Sequence, residues 1–401
     1  MAHPTLIIEI APDHGPLHTG PVWVAITTDV IGIPSIRRGR QDVLSRFEAG
    51  TATVVLDNEA GTYTPQNNQS TYYHRLWPMC PIRIRATYSA VTYDLFRGFV
   101  ESWEPEWEGG FTSTVTLTCV DGFKLLALSR VSSSLGAQDT HERIQAMLAL
   151  AGWSVTYWSI DAVSFVPLPA LTVTQTAALA HMQNVEETEA AFLYMGTDGI
   201  LYWKQRNARG IDTRSITVQA RFGYDPRPTI RWTLGDATLS VLGSTTILRG
   251  SDFSTIAEIP YLTADLSFDD RSIINDAQIA TLSGTVLSAN DAASRERYGP
   301  HAYAITLLSD VDFDAQERAD LMVATYKTPQ LRILTIRASG HQQDESWPYL
   351  LKLDLSDRVT VMVRPHVGSQ IGQACWVEAV QHSNITDSTW ETSYTLSLAT
   401  T

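Results

Sequence analysis

Positive charge is in deficit in this 401-residue chain: 29 Lys and Arg stand against 43 Asp and Glu, a formal net charge of −14 at pH 7. That deficit argues against a general DNA or RNA coat, which needs clustered cations to displace phosphate counterions. It remains compatible with the wall of a conduit, because like charge repels and weak adhesion suits a nucleic acid in passage. Cysteine is scarcer still. Cys80, Cys119 and Cys375 are odd in number, far apart and at no metal-ligand spacing, which excludes a disulfide scaffold or a cysteine metal site. No apolar run reaches the roughly 18 residues of a membrane-spanning helix. The opening MAHPTLIIEIAPDHG lacks the basic and apolar regions of a secretory signal. Folding in a reducing cytoplasm is expected, with no stable membrane insertion.

What is present is the composition of a folded protein, 44% hydrophobic and 18% charged. The length implies two to four domains. Eleven tryptophans and fifteen tyrosines suit an all-β protein with large interfaces, or else fill several small cores.

The organising stretch is Arg37 to Arg130. GRQDVLSRFEAGTATVVLDNEAGTYTP, PIRIRATYSAVTYDLFRGFVESWEPEW and TSTVTLTCVDGFKLLAL read as strands of one closed or nearly closed all-β unit. Before it, TLIIEIA and VWVAITTDV read as strands, with DVIGIP at 29–34 as a turn or bend. Ile82, Ile84 and Ala86 alternate with Arg83, Arg85 and Thr87, giving one apolar and one basic face. Gly98 inside YDLFRGFVESW marks a bulge or a close backbone approach. FKLLALSR is a short helix or a final strand. Residues 62–80, with Tyr72, Tyr73 and Trp77, form an ordered excursion.

The Ser- and Gly-rich stretch 128–139 reads as a domain boundary. THERIQAMLALAG follows helix rules, with Thr140 as cap, Arg143 on the polar side, and Ile144, Met147, Leu148 and Ala151 on one face. Trp153 to Trp158 reads as a strand and Thr176 to Glu187 as a second helix. FLYM-GTDG-ILYW at 192–203 is a β-hairpin. Residues 208–260 read as β and loop around Pro226 and Pro228. Beyond them come a strand over 261–268, turn-forming polar clusters at 269–276 and 291–299, and a helix over 314–325 with Leu321 on its apolar side. Strands at 331–336, 359–363, 374–380 and 390–398 follow.

No reaction chemistry is expected from these residues. The cluster Arg37, Arg38 and Arg40 lacks the Lys-Ser/Thr and helix of a P-loop, so salt bridging or contact with an acidic partner is the better reading. Glu186, Glu187 and Glu189, near His181, point apart instead of facing across a cleft. His141-Glu142 has no second histidine at i+4. Solvated helix surface accounts for both groups. Ser294 lacks a nucleophile elbow. Catalytic residues, cofactor-binding residues and metal ligands are therefore each expected to be none.

Five segments, in order along nearly the whole chain, carry a family resemblance. They are GRQDVLSRFEAGTATVVLDNEAGTYTP (39–65), PMCPIRIRATYSAVTYDLFRGFVESW (78–103) and DG-ILYWKQR (198–206). YLTADLSFDDRSIINDAQI (261–279) with DAASRERYG (291–299), and LDLSDRVTV (353–361) with VEAVQHSNITDSTWETSYTLSL, complete the set. The chain resembles the tail hub (baseplate hub) proteins of long-tailed, Siphoviridae-like bacteriophages, the minor tail proteins of actinobacteriophages. The resemblance implies a mainly β chain with an α+β insertion. Residues 1–130 would be a first tube-like β-barrel domain, 140–207 a small α+β domain, and 208–401 a second tube-like β-barrel domain with an inserted helix. It further implies a non-enzymatic homotrimeric ring at the host-proximal end of the tail tube, joining a six-fold distal tail ring to a three-fold tip and continuing or closing the DNA channel.

Implied partners are the distal tail protein ring, the tape measure protein and other tail-tip or fibre proteins, with DNA passing through the lumen unbound. The location would be the virion tail tip, after assembly in the host cytoplasm. Arg83, Arg85 and the Arg37/Arg38/Arg40 cluster become candidate contacts to neighbouring subunits, and the aromatics candidate ring anchors. The alternatives are a hexameric distal tail protein and a receptor- or carbohydrate-binding tail-tip protein using Trp103 and Trp107.

Overall fold

In a computed structural model of the chain, the described residues are 3–109, 112–223, 229–231, 240–242, 258–386 and 389–399. Pro226 and Pro228 lie outside them. Most strands join one 14-stranded sheet. Its main path starts at Glu258–Ile259 and passes through Val218–Gly223, Arg358–Val363, Ile371–Ile385, Val30–Gly39 and Glu48–Asp57. It continues through Thr112–Val120, Val91–Glu108, Cys80–Tyr88 and Thr5–Ile10 to Val24–Ala25. A branch leaves Ile371–Ile385 through Glu391–Leu398 and Arg332–Ala338 to Thr263–Ser267.

This overturns the expectation of two tube-like barrels, because among the described residues no sheet closes on itself. Closing the first unit would require Val30–Gly39 to pair with Thr5–Ile10. The free side of Val30–Gly39 is instead taken by Ile371–Ile385, with Ala379 opposite Gly39 and Ile385 opposite Ile33. The free side of Thr5–Ile10 is taken by Val24–Ala25. Ile371–Ile385 gives its first half to Arg358–Val363 and its second to Val30–Gly39. It thereby ties both ends of the chain into one open sheet.

The strand alternation read from sequence buries the expected faces: Ile82, Ile84 and Ala86 are each 0% exposed. Gly98 is a close approach, since a Cβ there would sit 2.3 Å from the Val120 carbonyl oxygen. The segment at 29–34 is strand, not turn. Pro34 is accommodated where the register slips between Gly32 and Ser35, the bulge position a proline tolerates. Gly122–Leu128 is a helix capped by Asp121, whose side chain accepts from the Phe123 amide.

The insertion holds the helices Thr140–Leu150 and Ala178–Glu189 and the hairpin Phe192–Met195 with Leu201–Lys204. The cap of the first helix is Asp139, in a capping box with Glu142, not Thr140. Arg143 is buried instead of polar-faced. It donates to Gln138 and to the carbonyls of Gly136 and Pro169, stapling the loops around its helix. The expected strand at 153–158 is a 3-10 turn, Val155–Tyr157, followed by the short strand Trp158–Ile160. Within the expected boundary at 128–139, Arg130–Leu135 is a strand paired with Leu171–Ala177.

The polar stretch 291–299 is also corrected, forming the helix Ala292–Tyr298 capped by Asp291. The helix Asp312–Tyr326 covers a separate three-stranded sheet, Asp276–Ala280 with Val286–Asn290 and Ala302–Thr306. Ala315, Ala319, Met322 and Val323 supply its buried side, while Leu321 points outward, 54% exposed. One core fills the first β unit and is closed by Trp347 and Trp390 from the C-terminal region. A second joins the insertion to the C-terminal strands. A third lies under Asp312–Tyr326.

Candidate functional site

The arginine cluster turns inward. The Arg38 guanidinium donates to Asp354 at 2.6 Å and to the Met195 carbonyl at 3.1 Å. Arg40 donates to Glu378 at 2.7 Å, and Arg209 donates to the same carboxylate at 2.7 and 2.9 Å. Ser397 completes the set by donating to Glu378. Arg37 alone of the three is outward, 3.5 Å from Glu48. The salt-bridge reading therefore holds within the chain, and the reading of Arg38 and Arg40 as contacts to a neighbour is overturned by their burial.

Glu378, missed from the sequence, is 0% exposed. It occupies the slip in register between Val377 and Ala379. Burial pushes its carboxyl up, but the Arg209 and Arg40 charges outweigh burial and hold it far below the usual range. The signal was a lone acid inside the apolar run WVEAV.

Arg83 and Arg85 are likewise engaged. Both reach Glu9 on the paired strand, with distances of 2.6 to 3.0 Å, and Arg83 lies over the Trp23 ring at 4.4 Å. Glu9 offsets one of the two charges, and both side chains stay about a quarter exposed. The register of Thr5–Ile10 is not readable from its alternation; once Glu9 stands opposite Arg83, the pairing follows.

Glu186 and Glu189 are not solvated helix surface, contrary to expectation, whereas Glu187 is partly exposed and pairs with Arg46 at 2.6 Å. Glu189 is 0% exposed and accepts from the amides of Phe165 and Val166 and from the Thr140 hydroxyl. It anchors the loop before Pro167. Glu186 accepts from the Leu193 amide at 2.9 Å. Burial pushes its carboxyl up to about 8, against the pull of that amide and of Arg40 and Arg46. His181 is buried and pushed down to about 4 by desolvation and by Arg143. His141 pairs with Ser164 at 2.6 Å. Acids in the last turn of a helix, where the dipole disfavours them, were the clue that Glu186 and Glu189 serve backbone amides of neighbouring segments. Ser294 is bonded to the Lys327 carbonyl and to Asn275. Among the described residues no group of three or more His, Cys, Asp or Glu could hold a metal.

The chain's outward feature is a tongue. Val91–Glu108 pairs with Cys80–Tyr88 only as far as Val100, while its pairing with Thr112–Val120 runs on to Glu108. The overhang carries Trp103, Pro105 and Trp107 on one face and Glu104, Glu106 and Glu108 on the other, as strand alternation requires. Trp107 is 58% and the nearby Trp77 54% exposed. Trp103 is half-buried and donates to the Trp77 carbonyl at 3.2 Å. Proline and glutamates along an unpaired edge discourage indiscriminate strand addition, leaving the tryptophan face for contact. Elsewhere, a cleft of about 560 Å³ between the insertion hairpin and the C-terminal region is lined by Asp94, Asp198, Asp212 and Asp354 with Lys204 and Arg214.

No protein-family model and no curated protein matches the sequence. Solved structures match the fold. The 43 kDa tail protein of prophage MuSo2 from Shewanella oneidensis is similar over 99% of this chain and 97% of its own, with 10% identity and a TM-score of 0.58. A tail protein from Neisseria meningitidis is similar over 98% and 95%, with 11% identity and a TM-score of 0.57. A chain of the Francisella PdpA–VgrG complex is similar over 98% of this chain and 58% of its own, with 9% identity and a TM-score of 0.50. From end to end, this chain has the fold of those two tail proteins.

Proposed function

We propose that the protein is a structural subunit of a bacteriophage tail, a hub at the host-proximal end of the tail tube. The observation that carries this reading is the end-to-end match of fold with two tail proteins, with little left over in either chain. In this reading the subunit forms a homotrimeric ring between the distal tail ring and the tip. Its units at 1–130, 140–207 and 208–401 divide the contacts with the tape measure protein and other tip proteins. The chain takes this place in the virion after assembly in the host cytoplasm.

The work is mechanical and electrostatic, and no bond is made or broken. A net charge of −14 keeps DNA from adhering as it passes. Buried ion pairs such as Arg40–Glu378–Arg209 tie the first strands to the last. The tongue with Trp77 and Trp107 supplies apolar contact area of the kind that anchors interfaces.

The test is the symmetry of the purified chain. Light scattering and electron-microscope class averages should give a three-fold ring with a central opening. A monomer at every concentration would sink the ring reading, and a six-fold ring would favour a distal tail protein.

A further inference from the structure

Residues 12–22, PDHGPLHTGPV, leave the sheet where the Ala11 amide donates to the Pro81 carbonyl at 2.9 Å and rejoin it at Val24–Ala25. Between these points the chain is a strap without helix or strand. Pro16, Leu17, His18 and Pro21 lie over a groove between the first β unit and the insertion, formed by Phe99, Trp153, Tyr157 and Met195. Gly122 lets the groove floor close up: a Cβ there would meet the Trp153 ring at 2.5 Å.

The strap fits this groove loosely. Tyr157 donates its hydroxyl to the His18 carbonyl at 3.2 Å and accepts from the Gly20 amide at 3.4 Å. Both are solvent-exposed bonds, as is the ion pair that ties Asp13 of the strap to Arg75, and such exposed ties contribute little to holding a loop closed. Leu17 stays 49% exposed, and a void of about 30 Å³ remains. Gly20 sits at φ +88°, a pivot a side chain would strain.

We propose that this strap is an exchangeable clasp, and that in the assembled ring residues 12–22 of one copy occupy the Trp153–Tyr157 groove of the next. The inference rests on the ring reading above. The occupant is argued from the structure itself, because the groove already accepts this proline-rich segment within one chain. Both ends are anchored in the sheet, so half the strap, fully extended, reaches about 18 Å. Exchange without unfolding the sheet therefore requires the neighbouring groove to lie within that reach. Exchange joins two different patches, strap and groove, which is the heterologous contact a closed ring requires. It also replaces weak ties within one chain by the same ties between chains, at little cost in contacts.

The three native cysteines are buried, so introduced thiols can be addressed selectively. Leu17→Cys and Ser154→Cys, one carrying an affinity tag, are co-expressed, and the assembled full-length protein is treated with a short bis-maleimide. The expected result is a cross-linked dimer containing one tagged and one untagged chain, absent when either variant is expressed alone. In the L17C/S154C double variant the same treatment should give chain-to-chain ladders. Light scattering on the same samples separates the two ideas. Rings whose double variant cross-links solely within one chain overturn the clasp and leave the ring standing. A preparation that is monomeric throughout overturns both.

Discussion

Replacing Glu378 by Gln should be among the most damaging isosteric changes in this chain. The carboxylate is 0% exposed, accepts three bonds of 2.7 to 2.9 Å from Arg40 and Arg209, and lies on the strand that joins both ends of the sheet. The amide keeps the shape but leaves two guanidinium groups buried without a counter-charge. Breaking a buried ion set from one side costs about 3–5 kcal/mol, or about two to three and a half powers of ten in the folding equilibrium. In urea, with a slope of about 2–3 kcal/mol/M, the midpoint should drop by about 1–2 M at unchanged slope. The triple replacement R40M/R209M/E378L removes charge and counter-charge together and should lose far less than E378Q. The pH dependence has a fixed sign. With the folded carboxyl held below its unfolded value of about 4.3, the contribution is complete above that value and fades as pH falls further. E378Q should therefore flatten the acid limb. An E378Q midpoint equal to wild type, with the acid limb intact, would refute the argument that this junction holds the sheet together.

Glu186 has the opposite sign. Its folded carboxyl, pushed up to about 8 by burial, favours folding fully below its unfolded value and loses that contribution as pH rises toward 8. Denaturation midpoints between pH 5 and 9 should fall in the wild type and fall less in Glu186→Gln. Gly340→Ala places a Cβ 2.2 Å from the buried Trp347 ring. It should cost about 1–3 kcal/mol by overpacking, seen as a lower melting temperature with blue-shifted tryptophan fluorescence lost. Replacing Arg83 and Arg85 by Gln should lower stability by about 1 kcal/mol or less each without changing the oligomer measured by light scattering, since both are satisfied by Glu9. Trp77→Ala with Trp107→Ala should do the reverse, weakening association while leaving the melting temperature near wild type.

Strand periodicity was legible wherever one face is buried. The PIRIRAT face, the FLYM–ILYW hairpin and the two insertion helices are where the residues put them. Pairing over long separation was not legible. Nothing in QHSNI announces that His382 lies opposite Ile36, because the alternation of a strand says which face is buried and is silent about its neighbour. The open sheet follows from that one pairing, and a closed unit was the reading it displaced. Acidic residues failed for a related reason. Solvated surface is the ordinary state of a glutamate, yet Glu186, Glu189 and Glu378 are inside because each finds donors contributed by another part of the chain. The acid that engages Arg83 and Arg85 was equally hidden, because Glu9 comes from a strand more than seventy residues earlier.

An open sheet of this size has to protect its edges, and the way it does so bears on how copies can meet. Val24–Ala25 and Glu258–Ile259 end the main path with two residues each, too short to template an added strand. The tongue's long unpaired edge carries Pro105 between glutamates. Strand-to-strand addition is thus disfavoured at each of these three edges. Two tongues meeting through their glutamate faces would bring like charges together, which repulsion opposes, so contact falls to the opposite, tryptophan face. A tryptophan face set against an unlike patch of the next copy is the heterologous kind of contact that the proposed ring calls for. Neutralising Glu104, Glu106 and Glu108 to Gln should therefore leave the fold intact and permit tongue-to-tongue or off-pathway aggregates at low salt, where the wild-type repulsion is least screened. Sedimentation of this variant at two ionic strengths checks it, and behaviour identical to wild type at both would mean the acidic face plays no part in steering assembly.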